Sequence, residues 1–128
     1  MAKKVAIVDD NMGFLEELSS MLRENGYAVY PFSDGKSALD DIPSILPDIV
    51  LLDLKMDKIS GFQVADRLKY SAKTKNIPMI AMTGYYSQKE YDDAIKICGM
   101  RRCILKPFSP DKILSEIAEV IKENRAGE

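Results

Sequence analysis

Residues 48–53 read DIVLLD, four consecutive aliphatic side chains closed at each end by an aspartate. A strand covered on one face alternates apolar and polar residues. An unbroken run such as Ile49-Val50-Leu51-Leu52 instead fits a strand buried on both faces, as in a parallel sheet. Four further β-rich runs share this character: VAIV (5–8), YAVY (27–30), PMIAMT (78–83) and RCIL (102–105).

Helical spacing fills the gaps between them. Leu15, Leu18 and Leu22 recur at i, i+3 and i+7, and Gly26 supplies a stop signal. The connection from Ser33 to Ile45 is weaker: Ala38, Leu39 and Ile42 predict one short helix ending before Pro43. Phe62, Ala65 and Leu68 mark a helix after the third strand. Tyr91, Ala94, Ile95 and Cys98 mark another after the fourth, ended by Gly99. Ser109 as N-cap and Pro110 at the first helical position open the last one, with Ile113, Leu114, Ile117 and Ile121 on one face. Strand and helix thus alternate five times. That alternation predicts an α/β domain: a parallel sheet, helices on both faces and right-handed crossovers.

The 128 residues suit one domain, expected over 1–128 with a core at 4–122 and a short polar tail within KENRAGE. A content of 46% hydrophobic and 30% charged residues is that of a soluble globular chain. The net charge of −2 gives no basic surplus for nucleic acid or an anionic membrane. MAKKVAIVDD lacks the apolar region of roughly 7 to 15 residues that a signal peptide needs. With Cys98 and Cys103 in no zinc or disulfide pattern, a reduced, cytoplasmic setting is expected. There is no histidine. Histidine-based acid–base chemistry, histidine metal ligands and a phosphohistidine carrier role are therefore excluded.

In open α/β sheets, ligands bind outside the carboxyl ends of the strands. The first run ends in Asp9 and Asp10, the third in Asp53, the fourth in Thr83 and Gly84, and the fifth in Lys106 and Pro107. Three carboxylates and one ammonium leave −2, which one Mg²⁺ would cancel. Oxygen ligands suit that ion, whereas zinc lacks histidine or paired cysteine ligands. A carboxylate beside a metal, a hydroxyl and a lysine has the parts for phosphoryl transfer. Asp53, alone on a central strand, is the expected nucleophile. Taken singly, each residue has a plainer reading: Asp9 and Asp10 as a helix-capping pair, Thr83 as a common strand end, Lys106 as a solvated lysine. It is their conjunction on one rim that carries the inference.

The motifs VDD, LLDLKM, MTG and LKPF, in this order and each at a strand end, resemble the receiver domain of two-component response regulators over Lys4 to about Lys122. The resemblance implies a doubly wound, flavodoxin-like (βα)5 fold with strand order 2-1-3-4-5. It implies Asp53 as phosphoacceptor, with Asp10 and Asp53 binding Mg²⁺ (or Mn²⁺) directly and Asp9 through water. The carbonyl of Lys55 would complete the protein ligands, and Thr83 and Lys106 would contact the phosphoryl group. The Lys106–Pro107 peptide is similar to one usually cis in the family. Implied partners are a histidine kinase or histidine phosphotransfer protein, and an effector bound through about residues 87–122. Nucleic acid and membrane insertion are not implied. Such a domain is a signalling phosphoacceptor, promoting its own Mg²⁺-dependent phosphorylation and dephosphorylation, rather than an enzyme with a separate substrate.

Three departures from the family pattern stand out. Cys103 stands where a tyrosine or phenylalanine usually completes a threonine–aromatic switch. Asp57 replaces a common proline, and Lys55 and Tyr85 flank the phosphoryl position. The first departure motivates an alternative, a receiver-like adaptor that works without phosphorylation. An aspartate-nucleophile phosphatase fits less well, because the first strand offers Asp-Asp-Asn and there is no room for a cap domain. An FMN site fits poorly too, since two aspartates would repel its phosphate.

Overall fold

The computed structural model describes residues 1–126. Five parallel strands, β1 (Lys4–Val8), β2 (Ala28–Phe32), β3 (Ile49–Asp53), β4 (Met79–Thr83) and β5 (Arg102–Leu105), form one sheet in the order β2-β1-β3-β4-β5. The helices are α1 (Met12–Glu24), α2 (Gly35–Ile45), α3 (Gly61–Lys69), α4 (Gln88–Asp92) and α5 (Pro110–Ala126), with a π turn (Asp93–Ile97) continuing α4.

The unbroken apolar runs have the expected consequence. Ala6, Val8, Val50, Leu52 and Ala81 face one layer, with Ala38 and Ile42 of α2 and Val64, Ala65 and Leu68 of α3. Val5, Ile7, Ile49, Leu51, Ile80 and Met82 face the other, against Leu15, Leu18 and Leu22 of α1 and Ile113, Ile117 and Val120 of α5. Alternate residues of one strand thus feed opposite cores. Each fully buried Leu or Ile contributes about 1.5–3 kcal/mol of transfer free energy.

Several boundaries differ from expectation. The second strand runs to Phe32 through Pro31. β2 is an edge strand, and the Ala28 N–H reaches the Lys3 carbonyl, so the two-residue period turns position 31 to the free side. A missing N–H costs no ladder bond there. The Arg23 guanidinium also donates to the Val29 carbonyl at 3.1 Å, so proline and arginine together blunt this edge against further strand pairing.

The second helix passes through Pro43 instead of stopping before it. Asp34 caps it at the Ser37 N–H, 2.8 Å, and buried Ala38 and Ile42 anchor it. Pro43 costs α2 the one bond its N–H would have made four residues back, a loss the buried anchors offset, and Leu46 closes the helix with φ 51°.

The fourth helix is not one continuous α-helix. After five residues the Cys98 N–H reaches the Asp93 carbonyl, five residues back, at 2.9 Å. Gly99, with φ 71°, ends the turn. The expected polar tail is also mostly helix. α5 continues to Ala126, held to the start of β5 by Arg102–Glu123 (2.6 Å) and Arg101–Asn124 (2.8 Å). Gly127 and Glu128 of that tail lie outside the described residues. Among the described residues no helix is long and apolar enough to cross a membrane.

Candidate functional site

Because β1 and β3 are parallel neighbours in register, their carboxyl ends meet. Asp9, Asp10 and Asp53 each present a carboxylate oxygen within 4.8 Å of the others. Asp9 is fully buried, Asp53 is 5% exposed and Asp10 faces solvent.

Their oxygens are committed to different degrees. Asp9 has both occupied: Oδ1 accepts the Asn11 N–H at 2.9 Å and Oδ2 takes the Lys106 ammonium at 2.6 Å. Asp10 Oδ2 accepts the Asp57 N–H at 3.3 Å. Asp53 has one backbone donor, the Lys55 N–H at 3.2 Å, and Lys106 only at 3.8 Å. Burial therefore raises the Asp53 pKa to about 6, the negative charge of Asp9 pushes the same way, and Lys106 only partly offsets them. Asp53 is the least satisfied acid on the rim.

Lys106 is held in place from β5. Its N–H donates to the Thr83 carbonyl at 2.8 Å, and its peptide to Pro107 is cis, as the resemblance implies. Its ammonium lies 4.2 Å from the Phe14 ring centroid, and Phe14 meets Phe108 edge-on at 5.7 Å. This aromatic wall leaves the lysine pointing at the acids.

Thr83 sits at the end of β4, fully buried, but its hydroxyl donates to the Tyr85 carbonyl at 2.9 Å. The fold brings Thr83 to the rim while its hydrogen bond stays within its own loop. Lys55 sends its side chain away from the acids. The ammonium reaches Glu90 at 3.5 Å and stands 5.1 Å from the Tyr85 ring centroid.

Cys103 is half-buried in a cleft of about 490 Å³ shared with Tyr86, Tyr91, Leu105 and Phe108. Burial pushes its thiol up to about 11, with help from Glu90, so it is not a reactive thiolate at neutral pH.

Two residues that sequence reasoning passed over belong to the site. A Cβ on Gly61 would fall 2.1 Å from the Asp53 carbonyl oxygen, so only glycine lets α3 start against the end of β3. The visible signal was Ser60 with Gln63, whose capping box opens that helix. Glu90 is the second. It closes the capping box of α4 with Ser87 and also holds Lys55.

A hard divalent cation fits this donor set. The ligand atoms are all carboxylate oxygens, and the three acids with Lys106 sum to −2. The raised pKa of Asp53 reflects its burial first and then the repulsion of Asp9, and a cation bound there would favour the charged form against both.

The family profile of the response regulator receiver domain matches residues 5–118. A probable transcriptional regulator, ycf27, of Guillardia theta is 31% identical over 120 residues, covering 94% of this chain and 46% of that protein. The chain spans about half the length of such curated regulators. The polar-differentiation response regulator DivK of Brucella ovis is 30% identical over 117 residues, covering 91% of this chain and 94% of that one. Among solved structures, the chemotaxis protein CheY4 of Vibrio cholerae superposes with a TM-score of 0.88 at 26% identity, covering 94% and 99% of the two chains.

Proposed function

The chain belongs to the response regulator receiver domain family, and from that premise we propose that Asp53 is its phosphoacceptor, receiving a phosphoryl group from a phosphohistidine on a kinase or phosphotransfer protein. One observation carries the assignment. Of the three clustered carboxylates, Asp53 alone is both buried and sparsely hydrogen-bonded, while both oxygens of Asp9 are occupied. A P–O bond forms at Asp53 as the P–N bond of the donor breaks, and its electron pair leaves with the imidazole.

Asp10 and Asp53 would hold Mg²⁺ (or Mn²⁺) directly, Asp9 through water, with the Lys55 carbonyl as the remaining protein ligand. The ion supplies charge neutralisation for the transferring oxygens. Lys106, already aimed at Asp9 and Asp53, contributes a fixed positive charge. Thr83 contributes a hydrogen bond once its hydroxyl leaves the Tyr85 carbonyl. The added charge then shifts the domain between two conformations, and an effector binds one of them through about residues 87–122.

Intact mass after incubation with acetyl phosphate and Mg²⁺ tests this reading. A gain of one phosphate is expected, lost in Asp53→Asn and in chelator. Phosphate on another residue, or addition without the metal, would contradict it. A second reading is favoured by Cys103 at the usual aromatic position and by the engaged Thr83 hydroxyl: an adaptor that binds its partner regardless of phosphorylation. Equal partner affinity before and after phosphate addition would support that adaptor.

A further inference from the structure

Residues 88–97 are thinly anchored. Across α4 and the π turn, Ala94 is the one buried residue. The amino end of this segment is fixed by polar contacts. Ser87 Oγ accepts the Glu90 N–H at 3.1 Å, and Glu90 Oε1 accepts the Ser87 N–H at 3.0 Å. The same Oε1 binds the Lys55 ammonium at 3.5 Å. Lys55 in turn is fastened at its backbone to Asp53 Oδ1 and at its side chain lies over Tyr85. One residue therefore touches the acidic site and the cap of α4 at once.

The geometry points to Lys55 as an electrostatic latch between Asp53 and α4: extra negative charge on Asp53 draws the ammonium away from Glu90 and loosens the start of α4. This rests on Asp53 being the phosphoacceptor. A phosphoryl group carries up to two negative charges, against one on Glu90, and lies beside the backbone to which the lysine is attached. Lys55 and Glu90 are both partly solvated, so little is lost when their pair opens. An easily opened contact suits a switch better than a buried pair. Such a route needs no aromatic ring at position 103, because the signal reaches α4 from its amino end and not from β5.

The experiment follows amide exchange of residues 87–92 by NMR, with intact mass on the same sample, in Mg²⁺ throughout, before and after acetyl phosphate. In the wild type, phosphate addition should speed exchange there by about two- to fivefold, the scale of one exposed ion pair. Lys55→Met should exchange at the faster rate from the outset. Glu90→Gln keeps a side-chain oxygen for the Ser87 N–H but loses the charge, so its exchange should no longer respond to phosphate. Full phosphate addition with unchanged exchange at 87–92, or a full response in Glu90→Gln, would overturn the latch and leave Asp53 as phosphoacceptor. Absence of phosphate addition would overturn both.

Discussion

The two helical layers on this sheet differ in one segment. On one side, α1 and α5 press long aliphatic stripes into the core, with Leu22, Ile113, Ile117 and Val120 fully buried. On the other, α2 and α3 are anchored in the same way, but the segment from α4 through the π turn contributes buried Ala94, half-buried Ile95 and a Tyr86–Tyr91 contact, and is otherwise tied by Ser87, Glu90, Lys55 and surface ion pairs. Apolar burial is indifferent to charge at Asp53, whereas polar ties respond to it. The first layer fixes Lys106 against the acids through Phe14 and Phe108. In the second, the α4 segment can change without disturbing the sheet. Rigidity and response are thus assigned to different parts of one small domain.

The largest test of this contrast is truncation on each side. Ile117→Ala removes a fully buried side chain and should cost about 2–5 kcal/mol in urea unfolding. Ile97→Ala in the π turn, where the side chain is 61% exposed, should stay within about 0.5 kcal/mol. Similar costs at the two positions would erase the distinction.

Next in size is the lysine that the rigid layer positions. Lys106→Met leaves Asp9 fully buried opposite no cation, a change of about 3 kcal/mol in metal-free protein. Mg²⁺ should recover part of that loss, seen as a larger metal-induced rise in Tm than in the wild type. A loss with no differential recovery would mean that the metal and the lysine do not share the acids.

Asp53 gives the effect of opposite sign. Its folded pKa, about 6, lies above the ordinary value of 3.8. Below pH 4 the carboxyl is protonated in both states and exacts no penalty. As pH rises from about 4 to 6, the unfolded chain ionises first and the folded state loses relative stability. Above about 6 the full penalty remains, about 3 kcal/mol for a shift of some two units. Metal-free Asp53→Asn should therefore be more stable than wild type at pH 7 by about 2–3 kcal/mol, with the difference vanishing near pH 4. Mg²⁺ should narrow the gap at pH 7 by relieving the repulsion in the wild type. A flat pH response between 4 and 6 would remove the case that Asp53 is the unsatisfied acid.

How far the sequence foretold these features follows from what each depends on. The strand runs and the stripes of α1, α3 and α5 were readable because burial on two faces or one leaves a periodic mark. The acids, Thr83 and Lys106 were readable because a parallel sheet brings every strand's carboxyl end to one rim. Pro31 and Pro43 misled for different reasons. The missing N–H of Pro31 falls on the free edge of β2, where no ladder bond would have used it, while Pro43 does cost α2 one bond, which the burial of Ala38 and Ile42 outweighs. The π turn leaves almost no trace, since one inserted residue changes hydrogen bonding but not composition. Gly61 and Glu90 were hidden because their roles depend on contacts with residues distant in sequence, Asp53 and Lys55. The direction of the Thr83 hydroxyl is a rotamer choice, not a pattern.

The smallest expected effect separates local from global stability most directly. Ser87→Ala deletes the oxygen that accepts the Glu90 N–H and should cost α4 about 1 kcal/mol. If α4 belonged to the cooperative core, that cost would appear in full as a lower unfolding free energy. α4 buries no residue of its own, and the π turn after it adds only Ala94 and half-buried Ile95, so α4 should open and close while the sheet remains folded. The cap then acts on the local opening, and amide exchange over residues 88–92 should quicken by about fivefold, the equivalent of about 1 kcal/mol. The urea midpoint of the whole domain should scarcely move. A midpoint shift carrying the full 1 kcal/mol would mean that α4 unfolds only with the rest of the domain. Its polar ties would then be part of the core's cohesion, and charge at Asp53 would have to work against the whole fold to move it.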